Sequence, residues 1–88
     1  MVERTFTLTN PTGLHARPAA IFVKEVQKFA GTEILVRKGE REVSARSLLS
    51  LLSLGIGQGE TIVIRCEGPQ EKEAMEALAA LIEGGFGE

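Results

Sequence analysis

The sequence predicts an α+β fold in which three helices cover one face of a four-stranded antiparallel sheet. Two observations carry this prediction. Strand and helix patterns follow each other in the order β-α-β-β-α-β-α, and the helical segments carry apolar surface that has to be buried. The chain has 88 residues, which is enough for one hydrophobic core, so residues 1–88 are expected to form a single domain.

The chain begins with a strand followed by a helix. Residues Val2–Leu8 alternate between apolar and polar side chains, with Arg4 as an exception to the pattern. The next segment, Asn-Pro-Thr-Gly at residues 10–13, is typical of a turn. Apolar residues at helical spacing then predict a helix that ends near Phe29, with Gly31 as the stop signal. The apolar stripe of this helix is Ala19, Phe22, Val23 and Val26.

The middle of the chain predicts a hairpin and a short helix. Residues 32–43 fit two strands with Ile34 and Val36 pointing inward and a turn around Lys38 and Gly39. Residues 46–59 contain a short apolar helix that a run of glycines closes.

The remaining segments predict a central strand and a final helix. Residues 60–66 are dense in β-branched side chains, and Cys66 at the end of this strand is expected to point into the core. The last helix is predicted to open at Pro69 and to stop at Gly84 and Gly85. Its inward stripe is Met75, Leu78, Ala79 and Ile82.

The composition excludes several classes of protein. A net charge of −2 and the absence of Tyr and Trp argue against nucleic-acid binding, because no basic stripe and few stacking side chains are available. Cys66 is the only cysteine, so neither an internal disulfide nor a cysteine-based metal site can form. Apolar runs are too short to span a membrane, and charged residues occupy the place of a signal peptide's apolar region. We therefore expect a cytoplasmic protein that does not insert into membranes.

The stretch GLHARPAA at residues 13–20 contains the only histidine of the chain. Pro18 suits the first turn of a helix, so His15 lies just before a helix N-terminus, close to the free amides of Ala16 and Arg17. Such a position attracts anions.

These residues suit the transfer of a phosphoryl group. A neutral imidazole nitrogen is plentiful near pH 7 and is a competent nucleophile toward phosphorus. Arg17 can meet phosphoryl oxygens with a planar charged fork, and Thr12 can add a hydroxyl donor. No carboxylate in this stretch can act as a general base, which favours a carrier over a hydrolase. Taken singly, however, His15 also fits a cap or a surface residue, and Arg17 a solvated charge.

Two motifs resemble the HPr family, the histidine-containing phosphocarriers of the bacterial sugar phosphotransferase system. They are GLHARPA at residues 13–19 and SLLSLLSLGIGQGE at residues 47–60. The resemblance implies an open-faced β-sandwich and a phosphorylated histidine at His15, modified on Nδ1, with Arg17 and Pro18 beside the phosphoryl group. It also implies that enzyme I, charged by phosphoenolpyruvate, donates the group and that enzyme IIA domains receive it. The carrier is expected to be a monomer that needs no cofactor or metal.

The second motif implies a regulatory site. Ser47 matches a serine that an HPr kinase/phosphorylase modifies in some bacteria, which would also bring in a transcriptional regulator as a partner. Leu48, Leu49 and Leu52 match the apolar surface that docks partner proteins. Ser47 equally fits an N-cap, a role that needs no kinase. Ser50, where some relatives have glycine or a charged residue, is a departure within this helix.

A second function from another class stays open at this point. The chain fits a regulatory module that binds a partner through the helix at Leu48–Leu54 and carries no phosphohistidine. A narrower alternative is a paralogue that serves a nitrogen-regulatory branch or dihydroxyacetone phosphorylation with the same chemistry. Because His15 and Arg17 are both present, the phosphocarrier is the preferred interpretation.

Overall fold

The computed structural model describes residues 1–88, and its elements follow the predicted order. The strands and helices are β1 (Val2–Thr7), α1 (Ala16–Val26), β2 (Glu33–Lys38), β3 (Arg41–Ser44), α2 (Leu48–Ser53), β4 (Thr61–Glu67) and α3 (Glu71–Glu83). A short 3-10 turn follows at Gly85–Gly87. The four strands form one sheet in the order β1-β4-β2-β3, and every neighbouring pair is antiparallel. The predicted α+β architecture is confirmed.

One hydrophobic core lies between the sheet and the helices. It consists of 22 buried apolar residues to which every helix and strands β1, β2 and β4 contribute. Alternate side chains of the strands point into it, which is why one face of the sheet is apolar. From the strands these are Phe6, Ile34, Val36, Ile62, Ile64 and Cys66, and from the helices chiefly Phe22, Val26, Leu51, Leu78 and Ile82.

Two helix boundaries differ from the sequence prediction. Helix α1 ends at Val26 rather than near Phe29, because the chain tightens there into i→i+3 bonds such as Phe29 N–H to Val26 O at 3.0 Å. Helix α3 begins at Glu71 rather than at Pro69, since the Glu71 carboxylate accepts the Gly68 amide at 3.2 Å and holds the preceding residues in a turn.

The predictions for the hairpin and the cysteine are confirmed. Lys38 pairs with Arg41, so the turn consists of Gly39 and Glu40. Cys66 is fully buried, and burial raises the pKa of its thiol to about 11. A thiol protonated at neutral pH and enclosed in the core is a packing residue. None of the helices combines the length and the apolar character needed to cross a membrane.

Helix α1 packs against both α2 and α3. The segments before and after α2 contact opposite ends of α1. The Arg46 guanidinium, just before α2, donates to the carbonyls of Val26 and Phe29 at the C-terminal end of α1. After α2, the carbonyl of Ile56 accepts the amide of Leu14 at 2.9 Å, next to the N-terminal end of α1. The two helices therefore run antiparallel, and α2 is fastened to α1 at each end.

Candidate functional site

The loop that carries His15 is clamped against the turn that follows α2. The first residue of the clamp, Gly13, has a φ of +63°, and a Cβ atom there would lie 2.6 Å from the Ile56 carbonyl oxygen and the Gly57 carbonyl carbon. Both the left-handed backbone and the close approach exclude any other residue without movement of the chain. Leu14, buried in the core, completes the clamp through its hydrogen bond to Ile56.

His15 occupies the N-cap position of α1 in an extended conformation, and its side chain forms no capping hydrogen bond. The side chain is exposed, while the His15 carbonyl accepts the Ala19 amide at 2.9 Å. The amides of Ala16 and Arg17 donate to no protein acceptor. Pro18, the third helical residue, is buried and has no N–H, so it anchors the helix start. The helix thus begins with two free amide donors beside an exposed imidazole.

Arg17 is exposed next to this helix start and forms no ion pair within the chain. Its permanent charge adds to the partial positive charge of the helix N-terminus. A planar fork, two amides and an imidazole are together suited to hold a tetrahedral oxyanion such as a phosphoryl group.

Thr12 faces an acidic side chain from the other end of the chain. Its hydroxyl donates to the Glu88 carboxylate at 2.7 Å, and the Asn10 amide donates to the same carboxylate at 2.9 Å. These bonds, the Asn10 bond first, hold the pKa of Glu88 below its ordinary value of 4.5, and the positive charge of Arg17 adds to the effect. The hydroxyl predicted to contact a phosphoryl group is thus engaged by a carboxylate.

Asn10 is a buried polar residue that uses its amide nitrogen twice. The nitrogen donates to the Gly13 carbonyl and to Glu88, both at 2.9 Å. Turning the amide over would place its oxygen against two acceptors, so the hydrogen bonds fix its orientation. The Asn10 oxygen is buried without a partner, which typically costs about 1–3 kcal/mol. The residue therefore serves this loop as a donor.

The turn that clamps the His15 loop is itself held by a charged pair. The Lys38 ammonium, at the end of β2, donates to the Gly55 carbonyl at 2.9 Å and pairs with Glu60 at 2.7 Å. The Glu60 carboxylate accepts the Gly57 amide at 3.1 Å. The Lys38 bond, followed by the Gly57 bond, lowers the pKa of Glu60. The sheet, the end of α2 and the His15 loop are in this way connected.

Ser47 is the N-cap of α2, as one of the two sequence interpretations predicts. Its side-chain oxygen accepts the amide of Ser50 at 3.2 Å. Since Arg46 binds the C-terminal end of α1, Ser47 lies toward that end and His15 lies at the other. An 11-residue helix is about 16 Å long, so the two predicted sites lie at opposite ends of α1.

The apolar surface predicted for docking is concentrated on two leucines. Leu49 is 80% exposed and Leu48 is 38% exposed, the two leucines with the largest exposure in the chain. Leu52 is partly buried and packs against the core, so it offers less surface than the other two. Leu51, on the opposite side of the helix, is fully buried.

The structure places four of the predicted residues at the N-terminal end of α1, namely Thr12, His15, Ala16 and Arg17. Pro18 is buried in the first turn of the same helix. The sequence gives no sign of the contact with Glu88, since an acidic residue 76 positions after Thr12 carries no signal of proximity. The sequence likewise indicates Asn10 only as a turn residue. Its burial and its two hydrogen bonds depend on the packing of the distant Gly85–Glu88 segment, which periodicity does not reveal.

Comparisons with known proteins show which family the chain resembles. Residues 2–84 match the family model described as the PTS HPr component phosphorylation site. The chain is 49% identical to the HPr-like protein Crh of Halalkalibacterium halodurans, over 94% of this chain and 98% of that one. It is 45% identical to the phosphocarrier protein HPr of Vibrio cholerae, over 94% and 96% of the two chains.

A solved structure extends the agreement to the fold. The crystal structure of HPr-C-His from Thermoanaerobacter tengcongensis superimposes with a TM-score of 0.96 at 46% identity, covering 100% of this chain and 98% of that one. The sequence match and the shared fold therefore agree, and the chain belongs to the HPr family, the phosphocarriers of the phosphotransferase system.

Proposed function

We propose that His15 is the phosphoryl acceptor of this phosphocarrier and that Arg17 and the amides of Ala16 and Arg17 stabilise the group. The observation that carries the proposal is the open start of α1, where an exposed imidazole adjoins two amides without a protein acceptor. Pro18 contributes by fixing the helix start, and the Thr12 hydroxyl becomes a further donor once it leaves the Glu88 carboxylate.

The transfer is a substitution at phosphorus. The lone pair of a ring nitrogen of His15 attacks phosphorus, the bond between phosphorus and the donor's leaving atom breaks, and that bond's electron pair returns to the donor. Passing the group onward repeats the substitution with His15 as the leaving group. Phosphoryl transfer asks chiefly for positioning and charge stabilisation, which the helix start and Arg17 supply.

The donor in this proposal is enzyme I, charged by phosphoenolpyruvate, and the acceptors are enzyme IIA domains. Residues 1–88 act as one monomeric carrier domain in the cytoplasm, without cofactor or metal. The protein is a covalent carrier rather than an enzyme. Ser47 is proposed as a regulatory site where an HPr kinase/phosphorylase is present, with a transcriptional regulator as the further partner.

The test is incubation of the protein with purified enzyme I and phosphoenolpyruvate, followed by mass spectrometry. We expect the mass to rise by one phosphoryl group in an acid-labile, base-stable bond, and we expect no gain for His15→Ala. Arg17→Lys should retain partial transfer and Arg17→Glu should lose most of it. The control is Lys72→Glu, an exposed substitution with the same charge change on α3. Labelling of His15→Ala would contradict the assignment.

A regulatory role is the second candidate function. The similarity to a protein named Crh and the exposure of Leu49 and Leu48 favour it. In that case a partner binds the α2 surface whether or not His15 carries a phosphoryl group. Binding that survives His15→Ala but is lost in Leu49→Ser would support this alternative, whereas dependence of the partner on phosphohistidine would support the carrier.

A further inference from the structure

The Glu88 carboxylate is bound to the loop that precedes His15. One oxygen accepts the Asn10 side-chain amide at 2.9 Å, and the Thr12 hydroxyl lies 2.7 Å from the other oxygen. The Thr12 backbone amide also points at the carboxylate, at 3.4 Å. An acidic side chain therefore occupies hydroxyl and amide donors immediately next to the open helix start.

The segment before Glu88 is shaped to deliver this side chain. Phe86 is buried in the core with a φ of 55°, a conformation that bulky residues rarely adopt. Gly85 and Gly87 on either side also have positive φ angles, and the Glu88 amide donates to the Gly85 carbonyl at 3.0 Å. The segment is thus a strained turn, fixed at one point by a buried ring and at the other by the Glu88 carboxylate.

We propose that Glu88 competes with the phosphoryl group on His15 and thereby sets how readily this carrier gives the group up. The inference rests on the proposed function of His15 and deepens it by naming a residue that controls the transfer equilibrium. In the unmodified protein Glu88 accepts the donors of Asn10 and Thr12. In the phosphorylated protein it is repelled and leaves them.

Both charge repulsion and a shared hydrogen-bond donor favour this competition. A phosphoryl group brings a charge of about −1.5 to −2. Like a carboxylate, it accepts hydrogen bonds from donors such as the Thr12 hydroxyl and the Arg17 guanidinium. The Thr12 hydroxyl has one proton to donate, so it can serve only one of the two anions. The negative charge of Glu88 thus disfavours the phosphorylated state relative to the unmodified one. Since the phosphorylated state is the one that is disfavoured, the group passes onward more readily.

The experiment compares the parent with Glu88→Gln at equilibrium. Each protein is mixed with catalytic enzyme I and a fixed ratio of phosphoenolpyruvate to pyruvate, and the phosphorylated fraction is measured by mass spectrometry. We expect the equilibrium constant for phosphorylation of Glu88→Gln to be larger by on the order of three- to tenfold at low ionic strength, and the difference to shrink in salt. The control is Glu83→Gln, which removes the same charge from an exposed side chain at the end of α3 and should match the parent.

A second measurement needs no enzyme I. Inorganic phosphate is titrated into the three unmodified proteins while the amide resonances of Thr12, Ala16 and Arg17 are followed by NMR. We expect Glu88→Gln to bind phosphate several-fold more tightly than the parent and Glu83→Gln. Equal affinities, or no binding by any of the three, would overturn the proposal.

The outcomes separate this inference from the proposed function. A parent protein that takes up no phosphoryl group refutes the assignment of His15, and the phosphate titration still tests Glu88. Equal phosphorylation constants for the parent and Glu88→Gln overturn the inference alone. A smaller constant for Glu88→Gln also overturns it, because Glu88 would then support the loop for phosphorylation instead of competing.

Discussion

The N-termini of α1 and α2 look alike in the chain and differ in whether the N-cap side chain bonds to the helix. Each helix follows a polar N-cap residue in an extended conformation, His15 for α1 and Ser47 for α2. The Ser47 oxygen accepts the amide of the third helical residue, Ser50, at 3.2 Å. At the equivalent place in α1 the third residue is Pro18, which has no N–H to give.

The difference separates an N-cap side chain that the helix uses from one that is left available for chemistry. An N-cap side chain normally bonds to the amide of the second or third helical residue. In α2 this bond forms, so the N-cap oxygen is engaged by the amide of Ser50. In α1 proline removes that donor, so the His15 side chain stays unengaged and exposed beside the free amides of Ala16 and Arg17. The stability of the α1 start has to come from elsewhere, and the clamp at Gly13 and Leu14 supplies it.

The largest effect is expected from breaking that clamp. Gly13→Ala places a methyl group 2.6 Å from the Ile56 carbonyl oxygen in a left-handed conformation. We expect it to lower the free energy of unfolding by about 3 kcal/mol and to slow phosphoryl acceptance, because the His15 loop must shift. Urea unfolding and the rate of labelling by enzyme I measure the two effects.

Gly39→Ala is the matched control for this prediction. Gly39 has a φ of +61°, close to the +63° of Gly13, but a Cβ atom added to Gly39 would meet nothing within 4 Å. It should lose only about 1 kcal/mol, the typical contribution of the backbone conformation alone, and should accept phosphoryl groups at the parental rate. Equal losses for the two variants would mean that the close approach of Gly13 to the Ile56–Gly57 turn contributes nothing.

The clamp also shows where sequence reasoning stops. The fold was predictable because each strand and helix shows its own periodicity and turn residues, which are local properties of the chain. The position of His15 and Arg17 together at a helix start was predictable because the motif is contiguous. The contacts of Gly13 with Gly57 and of Thr12 with Glu88 join segments far apart in the chain, and only the packed structure sets those distances.

The C-terminal end of α1 offers a second test, because its last carbonyls are bound by a side chain whereas the amides at the N-terminal end are free. The Arg46 guanidinium donates to the carbonyls of Val26, Phe29 and Thr32, at 3.2, 2.6 and 2.6 Å. We expect Arg46→Met to lower the free energy of unfolding by about 2 kcal/mol, because hydrogen bonds from a charged donor to the last turn are lost. Phosphoryl acceptance by His15, at the other end of the helix, should stay within about twofold of the parent, on the order of the scatter between independent sites.

Arg41→Met serves as the control for Arg46. Arg41 also donates to a helix carbonyl, that of Ser53 in α2, at 2.8 Å, but it is exposed to solvent. Its loss should change the free energy of unfolding by no more than about 0.5 kcal/mol. If Arg46→Met slowed acceptance strongly while folding normally, the two ends of α1 would be coupled and the comparison would need revision.

The smallest effect on stability is expected at the capped start of α2. Two variants of Ser47 distinguish the effect of losing the capping oxygen from the effect of adding a negative charge. Ser47→Ala removes the oxygen that accepts the Ser50 amide and should cost about 1 kcal/mol, with phosphoryl acceptance unchanged. Ser47→Asp keeps a capping oxygen and adds a negative charge, which is favourable at a helix N-terminus. Its melting temperature should therefore stay within a few degrees of the parent, about the shift that a change of 1 kcal/mol or less produces.

The charge of Ser47→Asp lies beside the exposed Leu48 and Leu49 and would have to be desolvated when a partner covers them. Ser47→Asp should therefore accept phosphoryl groups from enzyme I much more slowly, chiefly through weaker binding, which the concentration dependence of transfer measures. Because His15 lies at the other end of α1, a slower rate at saturating enzyme I would mean that the charge acts on the histidine itself. An unchanged rate would mean that the α2 surface does not dock enzyme I.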